Sequence, residues 1–156
     1  MQIAQILVGN VIYPLTEGQP LPIMVGDTLR VFFTFNYRLP KTTDVRIWAS
    51  LYKYSLGIID RQGQAQTKEV ITLEKTLSEW KPYEGEIDIV IGDMPLAIYG
   101  LILELPDYDE EERIDESLEV TGVPSIWESL GSLLILFLMI SLVKKLTPKP
   151  KKELVE

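Results

Sequence analysis

The sequence predicts a mainly β protein: one antiparallel β-sandwich of about seven strands followed by one C-terminal transmembrane α-helix. Three observations carry this. Between Gln2 and Thr121 the chain is written in short β-branched or aromatic runs broken by Gly, Pro and Asp. From Ser129 to Val143 it carries no charge and is almost wholly apolar. Its 156 residues suffice for one ordinary core and an appendage, and are too few for two sandwiches.

The strands follow in order. Residues 1–20 have no basic leader and alternate too strongly for the apolar region of a signal peptide, so they read as the first strand. Thr28 to Leu39 is the clearest run. Leu29, Val31, Phe33, Phe35, Tyr37 and Leu39 share one face at a period of two, with Gly26-Asp27 before them and Pro40 after. Asp44 to Tyr54 repeats the scheme with Val45, Ile47, Ala49 and Leu51 inward. Its other face carries Trp48, Tyr52 and Tyr54, which predicts a central strand with Trp48 packed under a loop or against a partner. Asp60-Arg61-Gln62-Gly63 reads as a turn and Thr67 to Thr76 as an edge strand. Glu86 to Ile91 turns through Gly92-Asp93-Met94-Pro95 into Ala97 to Leu105, whose nearly unbroken apolar composition predicts a buried central strand. A weaker last strand runs from Arg113 to Thr121.

Leu21 to Leu39, entered through Val25-Gly26-Asp27-Thr28-Leu29, and the Trp-bearing strand after it resemble the early strands of immunoglobulin-like or fibronectin-type-III-like modules. The resemblance spans residues 2–121 as a pattern, without the paired cysteines of true immunoglobulin domains. It implies an immunoglobulin-like sandwich used for binding or spacing, over a domain 1–121 and a hinge 122–124.

The C-terminal segment 125–146 opens with Ser125 and Glu128, spaced as a capping box. Leu130, Leu134, Phe137 and Ile140 belong to a run with no polar stripe, so a helix here must be buried all round. A helix over these residues is roughly 30 Å long, the thickness of a bilayer's hydrocarbon core. Trp127 suits one interface, and Lys144 and Lys145 reach the other. These are the expected anchor residues. Further lysines in the basic tail 147–156 predict a cytoplasmic tail and a β domain on the opposite face. The alternative is a tail-anchored protein whose β domain is itself cytoplasmic.

Composition excludes several function classes. The chain has no Cys and no His, which removes thiol nucleophiles, Ser-His-Asp catalysis and the common zinc sites. Its net charge of -8 disfavours nucleic acid, and no Gly-rich phosphate loop or Asn-X-Ser/Thr acceptor occurs. The acidic stretch Asp107, Tyr108, Asp109, Glu110, Glu111 and Glu112 is the candidate interaction loop. It is not an EF-hand, because Glu112 stands where Gly is required and Leu118 where a bidentate acid is required, so calcium is not expected there. Trp48, Tyr52, Tyr54, Trp80 and Tyr83 could form an aromatic binding face. No cofactor is expected. The sequence thus points to a non-catalytic, membrane-anchored structural or display module of a cell envelope or virus particle, with the bilayer and a protein partner or second copy as its contacts. The alternative is a non-membrane assembly subunit whose apolar helix packs in an oligomeric bundle.

Overall fold

The computed structural model describes residues 1–122, which form one compact unit of strands and turns. The capping pair Ser125 and Glu128, the anchor residues Trp127, Leu130, Leu134, Phe137, Ile140, Lys144 and Lys145, and the tail 147–156 lie outside the described residues. Among the described residues no helix is long and apolar enough to cross a membrane.

Nine strands fill this unit: β1 (Gln2–Val8), β2 (Val11–Tyr13), β3 (Leu21–Met24), β4 (Thr28–Tyr37), β5 (Thr43–Ser55), β6 (Ile58–Leu73), β7 (Lys81–Val90), β8 (Ala97–Leu105) and β9 (Glu110–Thr121). They form a four-stranded sheet in the order β2-β1-β4-β7 and a five-stranded sheet in the order β3-β9-β8-β5-β6. Every pairing is antiparallel except that of β3 with β9. The two sheets bury their inner faces against each other as a β-sandwich.

The alternation in the sequence is what builds this layer. Leu29, Val31, Phe33 and Phe35 of β4 are buried, opposed by Val45, Ile47, Ala49 and Leu51 of β5 and Leu101, Leu103 and Leu105 of β8. Ile87, Ile89 and Ile91 continue it under β7. The central placement of β5 and β8 and the edge placement of β6 agree with the sequence reading.

Three features differ from it. There are two more strands than the seven or so expected, and the short β2 and β3 show no clear period of two. β3 contains Pro22, which an edge strand tolerates because one side needs no ladder donor. Second, residues 60–63 are not a turn. They lie inside β6, and the chain reverses earlier, at Leu56-Gly57 between the paired Ser55 and Ile58. Residues 62–65 instead make a wide bulge opposite Leu51, because the ladder steps from Ser50↔Gln66 to Tyr52↔Arg61. Third, within the domain Trp48 is half-buried among cationic side chains. On the outer face of the sheet its ring lies 4.4 Å from the Lys68 ammonium and 5.7 Å from the Arg46 guanidinium, and these long side chains shield it.

Glycine is required where the β6 bulge meets the other sheet. The Gly92 amide donates to the Gln64 carbonyl at 2.9 Å, and a Cβ on Gly92 would fall 2.5 Å from that same oxygen. The obstacle is backbone, which cannot swing aside. Gly92→Ala should therefore cost about 1–3 kcal/mol of domain stability, read as a lower urea midpoint; an unchanged midpoint would mean that the bulge is not held as described.

The β5–β6 turn poses the opposite case. Leu56 and Gly57 both have positive φ, at 54° and 79°, and a side-chain-bearing residue there is strained where Asn-Gly is favoured. Leu56 is also fully exposed, at 101%, so it recovers nothing from the core. Leu56→Asn should raise stability by about 1 kcal/mol without altering the slope of the urea transition. A loss of stability would contradict the turn geometry.

Candidate functional site

Two places gather aromatic and ionisable side chains. The first is a crevice at the end of the sandwich where β4 and β8 finish and β5 and β9 begin. Phe35, Tyr37, Arg38 and Leu39 line one side, Val45, Leu73 and Leu105 the floor, and Trp80, Tyr108 and Glu110 the rim. Two loops are pinned to form it. The Thr76 amide donates to the Leu39 carbonyl at 2.9 Å, and the Leu39 amide donates to Thr76 Oγ1 at 3.0 Å, which explains why Thr76 is buried. The Phe35 ring is backed by two others, 5.0 Å from Tyr83 and 6.2 Å from Phe33, centroid to centroid. At the mouth the Arg38 guanidinium sits 5.1 Å over the Trp80 ring.

The acidic segment meets this crevice, but not as one loop. Only residues 106–109 are a turn, closed by the Tyr108 amide donating to the Leu105 carbonyl at 3.0 Å, with Asp109 at a φ of 55° that Asp accepts. Glu110, Glu111 and Glu112 are already in β9, paired with Leu105, Glu104 and Leu103. Asp107 is committed to Arg46. Its carboxylate accepts from Nε at 2.8 Å, Nη2 at 2.6 Å and the Arg46 amide at 2.9 Å, and these bonds hold its pKa below the ordinary carboxylate value. Glu111 pairs with Arg113 at 3.2 Å. Among the described residues no three acids converge as metal ligands. Tyr108 and Glu110 alone of the acidic stretch line the crevice.

The second place lies on the outer face of the five-stranded sheet. Tyr52 pairs with Gly100, and its ring packs so closely there that a Cβ on Gly100 would meet it at 2.5 Å. On the far side of β8 the ladder steps from Leu101↔Ile114 to Tyr99↔Leu118, so residues 115–117 bulge opposite Gly100. Asp115, opposite Gly100 on the same face, accepts from the Tyr52 hydroxyl, while Tyr54 stands edge-on to Tyr52 at 5.6 Å and accepts from Arg113 Nη1 at 3.3 Å. Burial first, and the Asp115 carboxylate second, push the Tyr52 phenol well above its usual pKa. Further along this face Arg61 and Glu104 form a two-bonded ion pair over the sheet.

The five aromatics singled out in the sequence are therefore not one face. Trp48 is shielded by cations, Tyr52 and Tyr54 form the polar cluster, Tyr83 stacks behind Phe35 and Trp80 stands at the crevice mouth. Phe35 and Tyr37, which the sequence places only on the inner face of a strand, and Arg38, which it does not single out, are crevice residues. Chemically the crevice offers an apolar floor, aromatic walls, one cation and one carboxylate at the rim. Such a set holds an apolar or aromatic side chain and orients a polar group beside it.

The Tyr52 cluster makes a test with a definite sign. A phenol whose folded pKa is raised stabilises the fold below its unfolded value of about 10, and that contribution is lost as pH rises through the folded value. Raising the pH from about 9 to about 11 should thus lower the stability of the wild type more than that of Tyr52→Phe. Burial also raises Tyr83 and Tyr99, so the variant should retain some alkaline sensitivity. Equal losses in the two proteins would show that Tyr52 ionises freely.

No protein-family model matches the chain, and no curated protein matches it significantly.

Proposed function

We propose that the protein is a non-catalytic display module: an immunoglobulin-like sandwich tethered to a bilayer by a C-terminal helix over residues 125–146, presenting its crevice to a protein partner. The strand order supports the immunoglobulin-like reading. β1, β4 and β7 share one sheet and β5, β8 and β9 the other, as strands A, B, E and C, F, G do in that fold. β6 extends the second sheet beside β5.

The observation that carries the functional reading is the separation of the two ends. β4 and β8 deliver the crevice at their C-terminal ends, whereas β9 ends, and the chain leaves the domain at Gly122, at the opposite end of the sandwich. The exit at Gly122 and the crevice therefore lie at opposite ends of the β domain, which leaves the crevice free of the point of attachment. The sequence beyond supplies a tether in the uncharged run Ser129 to Val143, flanked by Trp127 and by Lys144 and Lys145. The lysines after the run favour a cytoplasmic tail, with the domain exposed on the far face of a cell envelope or virus membrane. Binding at the crevice engages a protein side chain or a second copy; the acidic surface repels nucleic acid.

Expression of the full chain should place it in the membrane fraction after a high-salt wash, released only by detergent, while residues 1–122 alone should be soluble and β-rich. A full chain that remains soluble without detergent as a defined oligomer would replace the anchor with a bundled assembly subunit. Protease added outside intact cells should degrade the β domain and spare the tail, and the reverse pattern would make the protein tail-anchored.

A further inference from the structure

The end of the domain at which the chain leaves has an unusual surface. In the five-stranded sheet Met24 pairs with Thr121, Ala97 with Val120, and Ile98 with Glu119, so β3, β8 and β9 are level there. β5 runs away from the crevice to the same end and reverses at Leu56-Gly57. Met24, Leu56, Ile58, Leu96 and Ile98 all project from this end with large exposed areas, Ile58 at 72% and Leu96 at 65%. The four-stranded sheet adds Val11 and Val90, both exposed, at strand ends that lie next to the start of β4 and therefore also away from the crevice. A Cβ on Gly122 would lie 3.5 Å from Leu96 Cδ1, so this apolar surface reaches the exit point itself. Single exposed apolar residues are ordinary, but a set gathered at one end is not.

Within this set Leu56 is fully exposed and contributes nothing to the core.

We propose that this end of the domain rests in the interfacial layer of the bilayer, with Leu56, Ile58, Leu96, Ile98 and Met24 inserted among the lipid headgroups and upper acyl chains. The inference rests on the anchor reading above and deepens it. The spacer decides in favour of lipid: only residues 123–128 separate Gly122 from the uncharged run. Even fully extended, six residues reach at most about 20 Å, so a domain anchored through them stays within reach of the membrane surface. Apolar tips held that close to a bilayer leave water by entering it, while Asp93 and Glu119, exposed at the same end, stay at the level of the headgroups.

The absence of cysteine allows a direct test with the full chain reconstituted in phosphatidylcholine vesicles. Leu56→Cys, Leu96→Cys and, at the crevice end, the exposed Leu77→Cys are each labelled with a polarity-sensitive fluorophore, and lipids brominated along the upper acyl chain serve as quenchers. The labels at positions 56 and 96 should emit at shorter wavelength and be quenched severalfold more than the label at 77. Vesicles that float with the protein while all three labels quench alike would overturn the inference and leave the anchor standing. Protein that does not float with the vesicles would overturn the anchor and the inference together. A blue shift at 56 and 96 without lipid quenching, accompanied by cross-linking between copies through those cysteines, would overturn the bilayer contact in favour of a second copy on the same surface.

Discussion

The inner faces of β4, β5 and β8 must leave water together, and the rest of the domain is arranged around that requirement. A shift of one residue in any of these strands would carry Leu29, Val31 and Phe33, or Ile47, Ala49 and Leu51, to the outer face and bring Arg30 and Thr34, or Arg46 and Trp48, inward. At roughly 25 cal/mol per Å² of apolar surface, no surface interaction compensates for such an exchange. The register of the three strands is therefore set by burial, and the ion pairs follow it. Arg30 finds Asp88 at 2.7 Å because the β4–β7 ladder places the two directly opposite each other. Arg61 reaches Glu104 because β6 and β8 flank β5 on the same face. These exposed or half-exposed pairs add little stability by themselves.

Bulges reconcile that register with the polar chemistry. Because Ile114 packs against the core, the alternation of β9 already turns Asp115 to the outer face beside Gly100 and Tyr52, and the two extra residues of the 115–117 bulge leave Leu118 and Val120 inward. On the other side, the extra residues of β6 bury Ala65 in the core and send the Gln64 carbonyl to the Gly92 amide. The second bulge also protects the sheet. β6 is a sixteen-residue edge strand, and an edge of that length without interruption would be a template for another chain. The free stretch of β9 is guarded differently, by Glu110, Glu111 and Glu112.

What could be read from the sequence was what depends on period. β4, β5, β7 and β8 have apolar residues at alternate positions because one or both faces are buried, and that signal survives in a single chain. The hairpin at Leu56-Gly57 leaves no signal in the sequence because Leu replaces the Asn or Asp that usually announces such a turn, while Asp60-Arg61-Gln62-Gly63 has the composition of a turn and the conformation of a bulged strand. The acidic stretch was read as a loop because strand and loop look alike when a strand edge is solvated; Glu110 to Glu112 face water although their backbones pair with β8. The crevice was illegible for another reason. Tyr37, Trp80 and Tyr108 are far apart in the chain, and only the meeting of four strand ends makes them neighbours.

The way the chain leaves the sandwich fits the load a tether would impose. The last residues of β9 are paired on both sides: Leu118 and Val120 lie opposite Tyr99 and Ala97 of β8, and Leu118 to Thr121 run parallel to Leu21 to Met24 of β3. The Thr121 hydroxyl adds a bond to the Ile23 carbonyl at 3.1 Å. A pull on Gly122 along β9 acts across these hydrogen bonds in shear, so they must yield together and not one after another. An exit from an edge strand paired on one side would peel from its end. The parallel β3, short and interrupted by Pro22, adds little core, yet it supplies the second flank of the strand that would carry the force. Leu118 and Val120, fully buried beneath that doubly paired segment, fasten it to the same inner layer that sets the register of the domain.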